Sequence, residues 1–211
     1  KKQKIQIGEY KKFIIDKISS NKELIIKNKT ISFLHYGHLG DIINSLPVLQ
    51  ELSKSKDCNL YLQINKKIPD HVVSKDHPFG EVYLSETSCL KMLPLLKSQK
   101  YLNKVEIFDG QNIDIDLNFF RDLPINFNID SVRWYFHLTG IFPDLSKNYI
   151  TVESNKKFNN FIVIMRSLRR QNKFINYSFL KSYKNILFVG LKNEYDDLKN
   201  QITNLEYYDS K

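Results

Sequence analysis

Ile31-Ser32-Phe33-Leu34-His35-Tyr36-Gly37-His38-Leu39-Gly40-Asp41-Ile42-Ile43 begins as a short apolar run, passes through a turn with two glycines and enters a segment with helical spacing. A strand, a glycine turn and an amphipathic helix in this order make the junction at which open α/β sheets bind ligands, because helix N-terminal N–H groups attract negative or polar groups. The strand is Ile31 to His35. In the helix, Ile42, Ile43, Leu46, Leu49 and Leu52 fall along one face, and Asp41 occupies the first turn, where a carboxylate suits the helix dipole. Pro47 inside this helix predicts a kink or a late start, since proline removes a helical hydrogen bond.

The flanking sequence repeats the alternation. Phe13, Ile14 and Ile18 have helical spacing within Tyr10 to Ile18. Cys58 to Ile64 alternates as a strand, Glu81 to Leu84 is a second short strand candidate, and Leu90 to Leu96 reads as a helix. Val105 to Phe108 is a strand ended by Asp109-Gly110, and Ser131 to Leu138 is a helix closed by Gly140. After the polar stretch Glu153 to Asn160 a new cycle begins. Its strands are Phe161 to Met165 and Ile186 to Val189, its helices Tyr177 to Tyr183 and Glu194 to Ile202, and Leu205 to Tyr208 opens a third strand. This predicts an α/β protein built on doubly wound parallel sheets, with one domain over residues 1–152 and a second over 158–211. The second stops after about 50 residues, against roughly 100 to 150 for a typical domain, and so reads as partial. No internal repeat or low-complexity tract is evident.

Composition narrows the classes. The 211 residues are 42% hydrophobic and 26% charged, as in folded globular proteins, which argues against disorder. The net charge of +9 invites a nucleic-acid reading, but only five of the 32 basic residues are arginine and the lysines are scattered along the chain rather than gathered in a block. A nucleic-acid partner is therefore not expected, while a basic surface suits anionic sugar nucleotides or peripheral contact with anionic lipid. Cys58 and Cys89 have no metal-site or disulfide spacing and read as reduced fillers. No apolar run approaches the roughly 20 residues of a membrane span, and the basic N-terminus is not followed by a signal-peptide core, so the expected location is the cytoplasm.

Three segments together resemble the GT-B glycosyltransferases of the heptosyltransferase type, glycosyltransferase family 9. They are Phe33 to Ile43 with Ser45-Leu46-Pro47 and Leu52, then Asp114-Ile115-Asp116-Leu117 with Phe120-Arg121, then Ile164 to Asn172 followed by Phe188-Val189-Gly190-Leu191 and Glu194. The resemblance implies a Rossmann-like N-terminal, acceptor-side domain and the first part of a Rossmann-like donor-side domain. It also implies transfer of a sugar from a nucleotide-sugar donor to an acceptor hydroxyl, without metal or other cofactor. The acceptor would be a saccharide, lipid-linked or protein hydroxyl, and an oligomer is compatible with the pattern.

Under that resemblance Asp41 takes the acceptor proton and His38 is the fallback base, a histidine being able to donate or accept near neutral pH. His35 reads as a strand-end residue. Gly37 and Gly40 supply tight turn geometry or close approach of a ligand to the backbone. Arg166, Arg169 and Arg170 follow an apolar strand and suit the diphosphate of the donor, because guanidinium groups bind phosphate bidentately. Asp114-x-Asp116 has the form of a metal-binding pair, but the alternation with Ile113, Ile115 and Leu117 fits a strand with one polar face, so no metal is expected. Asp116 with Arg121 reads as an ion pair shaping the acceptor side. Trp134-Tyr135-Phe136 falls in a helix, where such residues are usually core; one of them could stack on a sugar or base, but the sequence singles out none. The competing reading is a non-catalytic saccharide- or nucleotide-binding remnant of such an enzyme.

Overall fold

The computed structural model describes residues 2–69 (side chains from residue 7), 80–124, 130–153, 155–167, 172 and 174–208. The chain divides into two compact units, Lys1–Val152 and Glu153–Lys211.

In the first unit the helix α1 (Lys2–Lys27) precedes β1 (Thr30–His35), α2 (Leu39–Ser53) and β2 (Asp57–Leu62). After these come α3 (Glu86–Lys97), β3 (Lys104–Ile107), the two-residue β4 (Ile115–Asp116), a 3-10 helix (Leu117–Asp122) and α4 (Val132–Thr139). The four strands are parallel, in the order β3-β2-β1-β4. Phe33 of β1 lies opposite Leu60 of β2 on one side and Ile115 of β4 on the other, and all three are fully buried. β2 is buried from Cys58 to Leu62, whereas β1 alternates buried with half-buried residues from Ile31 to His35. The α2 stripe Ile42, Leu46, Leu49 and Leu52 packs into the same core, with Pro47 buried beside it. The helix begins at Leu39, ahead of the proline rather than after it.

Two further contacts close this unit. Asn21 of α1 donates to the Leu138 carbonyl at 3.2 Å, joining α1 to α4. Gly140 ends α4 in the left-handed conformation (φ 73°), where its N–H reaches the Phe136 carbonyl at 2.7 Å, the helix stop that its sequence position suggests.

The second unit holds β5 (Ile162–Ile164), β6 (Ile186–Phe188), α5 (Lys192–Lys199) and β7 (Leu205–Tyr207), with the strands parallel in the order β5-β6-β7. Its core gathers Ile164, Ile186, Phe188, Tyr195, Leu198, Ile202 and Leu205.

Two expectations are corrected. Glu81 to Leu84 does not join the parallel sheet: Val82 bridges antiparallel to Lys67, and the Tyr83 and Asn65 N–H groups bond the carbonyls of Lys66 and Leu84. The chain leaving β2 is its partner, a local pairing that spacing does not distinguish from a sheet strand. Tyr177 to Ser182 is a 3-10 helix, not an α-helix. Only Leu180 of this segment is buried, and one apolar anchor suits a short connector better than an amphipathic α-helix.

Candidate functional site

The strand order reverses at β1, since β2 and β3 lie on one side of it and β4 on the other. Chains leaving the carboxyl ends of β1 and β4 therefore diverge and leave a crevice, the place where open α/β sheets hold ligands. A cavity of about 710 Å³ lies there, lined among others by Tyr36, His38 and Asp41 after β1 and by Asn118, Phe120 and Arg121 after β4. Tyr83 and Trp134 complete an aromatic wall.

The glycine turn is held by three side chains on three consecutive amides. The Tyr36 N–H donates to Asn118 Oδ1 at 3.0 Å, the Gly37 N–H to His35 Nδ1 at 2.9 Å, and the His38 N–H to Asp41 Oδ2 at 3.2 Å. These three amides, in the turn that precedes α2, are satisfied by side chains of the same unit. The last of the three is one half of a capping box, in which an acid at the third helical position reaches back to the cap residue.

Asp41 has a second partner. Arg121 Nη2 donates to Asp41 Oδ2 at 2.8 Å, and both side chains remain about a fifth exposed on the cavity wall. This corrects the expected Asp116–Arg121 pair. Asp116 instead accepts from Asn118 Nδ2 at 2.7 Å and from the Asn118 N–H at 2.8 Å, because the chain turns into a 3-10 helix directly after β4. Asp114 accepts from the Ser32 N–H at 2.8 Å and extends the β1–β4 pairing. The two aspartates thus hold neighbouring backbone, and among the described residues no group of three His, Cys, Asp or Glu side chains forms a metal-ligand set.

Asn118, which sequence reasoning did not single out, links these parts. Its Oδ1 accepts from the Tyr36 N–H and from Arg121 Nη1 at 3.3 Å, while Nδ2 donates to Asp116 and to the Leu34 carbonyl at 3.4 Å. The Arg121 guanidinium lies 4.3 Å from the Phe120 ring centroid and 4.6 Å from that of Tyr83, within cation–π range. Lys66 Nζ stands 3.6 Å over the Tyr36 ring. Burial, with the Asp116 charge second, raises the Tyr36 hydroxyl above its ordinary pKa.

Gly37 and Gly40 differ in what they do. A Cβ on Gly37 would lie 2.7 Å from His35 Cε1 and 2.8 Å from both Cβ and Oδ2 of Asp41, so the ring and the carboxylate close over a position that only glycine fits. Gly40 is in the first turn of α2, and a Cβ there would meet nothing within 4 Å.

In the second unit Arg166 follows β5, ion-pairs with Asp197 of α5 and lies 5.3 Å from the Tyr177 ring centroid. Its guanidinium thus braces its own unit. Arg169 and Arg170 lie outside the described residues. The β6–α5 junction repeats the build of the first: Gly190 follows Phe188 as Gly37 follows His35, the Leu191 N–H bonds Glu194 Oε2 at 3.2 Å, and a Cβ on Gly190 would crowd the Phe188 ring at 2.7 Å and Glu194 Oε2 at 3.2 Å. This repeat of a turn escapes sequence comparison because few of its residue types are shared.

No family model, curated protein or solved structure matches this chain. Among the described residues no helix is long and apolar enough to cross a membrane.

Proposed function

We propose that the chain belongs to a GT-B-type glycosyltransferase of the heptosyltransferase kind, and that the cavity at the β1/β4 divergence takes the acceptor. The observation that carries the reading is a part-exposed carboxylate, Asp41, on the wall of a cavity lined by Tyr36, Tyr83 and Trp134. Aromatic faces beside a fixed carboxylate suit a sugar, whose C–H faces stack on rings and whose hydroxyls bond to carboxylate. Asp41 takes the proton of the acceptor hydroxyl as its oxygen attacks the anomeric carbon of the donor. The bond from that carbon to the diphosphate breaks and its electron pair leaves with the nucleotide diphosphate. Arg121 orients the carboxylate through Oδ2, and no metal takes part. His38 is the fallback base, and Arg169 and Arg170 are the residues whose guanidinium chemistry suits the donor diphosphate. The protein works in the cytoplasm, on a saccharide, lipid-linked or protein acceptor.

One observation favours the second reading, a non-catalytic saccharide- or nucleotide-binding module: Asp41 Oδ2 is already engaged by Arg121 and by the His38 N–H. A calorimetric screen of nucleoside diphosphates and nucleotide sugars, followed by transfer assays on the ligands that bind, separates the two. Asp41→Asn abolishes transfer and leaves donor affinity within about twofold if the first reading holds, because it removes a base without changing size. Binding with no turnover in the unmodified chain selects the second, and no binding at all rejects the glycosyltransferase reading and nucleotide binding.

A further inference from the structure

His35 is fully buried, yet it carries two hydrogen-bonding nitrogens that the proposed chemistry does not use. Its Nδ1 accepts the Gly37 N–H, so the ring proton resides on Nε2. Nε2 lies 3.0 Å from Tyr135 Oη, and Tyr135 Oη donates in turn to the Asp41 carbonyl at 2.8 Å. The directions are consistent from end to end. The chain runs from the Gly37 amide through imidazole and phenol to the backbone of Asp41.

The second unit supplies an internal control. At the β6–α5 junction Phe188 occupies the place of His35, and the same glycine turn and third-position acid form on it. The turn therefore forms without an imidazole at that place. Burying an imidazole and a phenol costs desolvation that phenylalanine avoids, unless their polar atoms are paired as they are here. The polar pair adds one thing that the apolar ring cannot: a directional tie to the residue that carries the cavity's carboxylate.

We infer that His35 and Tyr135 are positioning residues for Asp41, a neutral Nε2–H imidazole and a phenol that fix the turn and the first turn of α2 so that the carboxylate stands at one place on the cavity wall. This rests on the reading of Asp41 as the working group of the site. Both groups keep the required protonation, since burial lowers the His35 pKa to about 3 and raises that of Tyr135 well above the phenol range.

The test is long-range ¹H–¹⁵N NMR of the labelled 211-residue chain from pH 5 to 8, the range over which an ordinary histidine titrates. The expected result is that His35 stays the Nε2–H tautomer with unprotonated Nδ1 throughout. In Tyr135→Phe the backbone resonances of residues 37–41 move, and in His35→Phe the Gly37 amide exchanges with solvent at least about tenfold faster while the fold persists. His35→Gln, whose amide can reach Tyr135, restores the wild-type Asp41 resonances in part. A proton on Nδ1, titration within this range, or unchanged 37–41 resonances in Tyr135→Phe overturns the inference. The wild-type tautomer decides the matter if a variant fails to fold. If Asp41→Asn leaves turnover intact while these spectra come out as stated, Asp41 is not the base and the hydrogen-bond chain stands without a catalytic carboxylate to position.

Discussion

Replacing Gly37 with alanine tests the steric reading of the turn. The new Cβ would meet His35 Cε1 at 2.7 Å and Asp41 Cβ and Oδ2 at 2.8 Å, whereas ordinary van der Waals contact begins at 3.4 Å. Three atoms would have to retreat by about 0.6 to 0.7 Å. None retreats freely, since the His35 ring is buried and bonded at both nitrogens and Asp41 Cβ is fixed to the backbone of α2. Overpacking of this kind costs about 1–3 kcal/mol. If the carboxylate swings away, its bonds to the His38 N–H and Arg121 weaken, at roughly 1 kcal/mol each. The lower entropy of the unfolded alanine chain returns about 0.4–1 kcal/mol. The expected net loss is thus about 2–3 kcal/mol. Urea denaturation followed by the fluorescence of Trp134 is a suitable assay, because this single tryptophan stacks on Phe120 at 4.9 Å beside the site. Gly40→Ala is the control: with open space around it in a helix, it should stabilise by about 0.5–1 kcal/mol. A Gly37→Ala chain within about 0.5 kcal/mol of wild type, or a larger loss from Gly40→Ala, would refute the reasoning.

Three further outcomes are expected. The folded chain keeps His35 neutral to a pKa of about 3, whereas an unfolded histidine protonates near 6.5, so stability present above pH 6.5 is lost as the pH falls toward 3. The loss amounts to about 2 kcal/mol between pH 7 and 5, read from urea midpoints, and His35→Phe should flatten that part of the curve. Arg121→Lys keeps the charge but not the fork that bonds Asp41 and Asn118 together, and should cost about 1–2 kcal/mol in the same assay; a neutral result would assign the pair to solvent. Burial pushes the Cys58 thiol up to about 12 and raises that of Cys89, so iodoacetamide at pH 8 should label neither in the native chain and both in urea, with rapid native labelling counting against this packing.

The α/β class and the parallel sheets were legible because they rest on local periodicity. The run Ile31 to Leu34 and the stripe Ile42, Leu46, Leu49 are set by which residues must leave water, and neighbours in sequence report that directly. Asp41 and Gly37 were legible for a related reason, since a strand–turn–helix junction confines a first-turn acid and a close-packed glycine to a few consecutive positions. Tyr177 to Ser182 was misread because one helical turn of pattern does not separate α from 3-10, and Glu81 to Leu84 because a strand's partner is not encoded in its own alternation. The partners of Asp41 belong to another order of information. Arg121 lies 80 residues away and Tyr135 94, and each reaches it only because β4 pairs beside β1 and α4 packs on α2. What the sequence alone determined is the kind of fold and the turn that carries the carboxylate, because both follow from local burial and backbone geometry. Only the tertiary structure decided that Arg121 pairs with Asp41 rather than Asp116, and that a buried histidine and tyrosine tie its backbone, because hydrogen bonds are directional at about 3 Å and chain separation does not encode such distances.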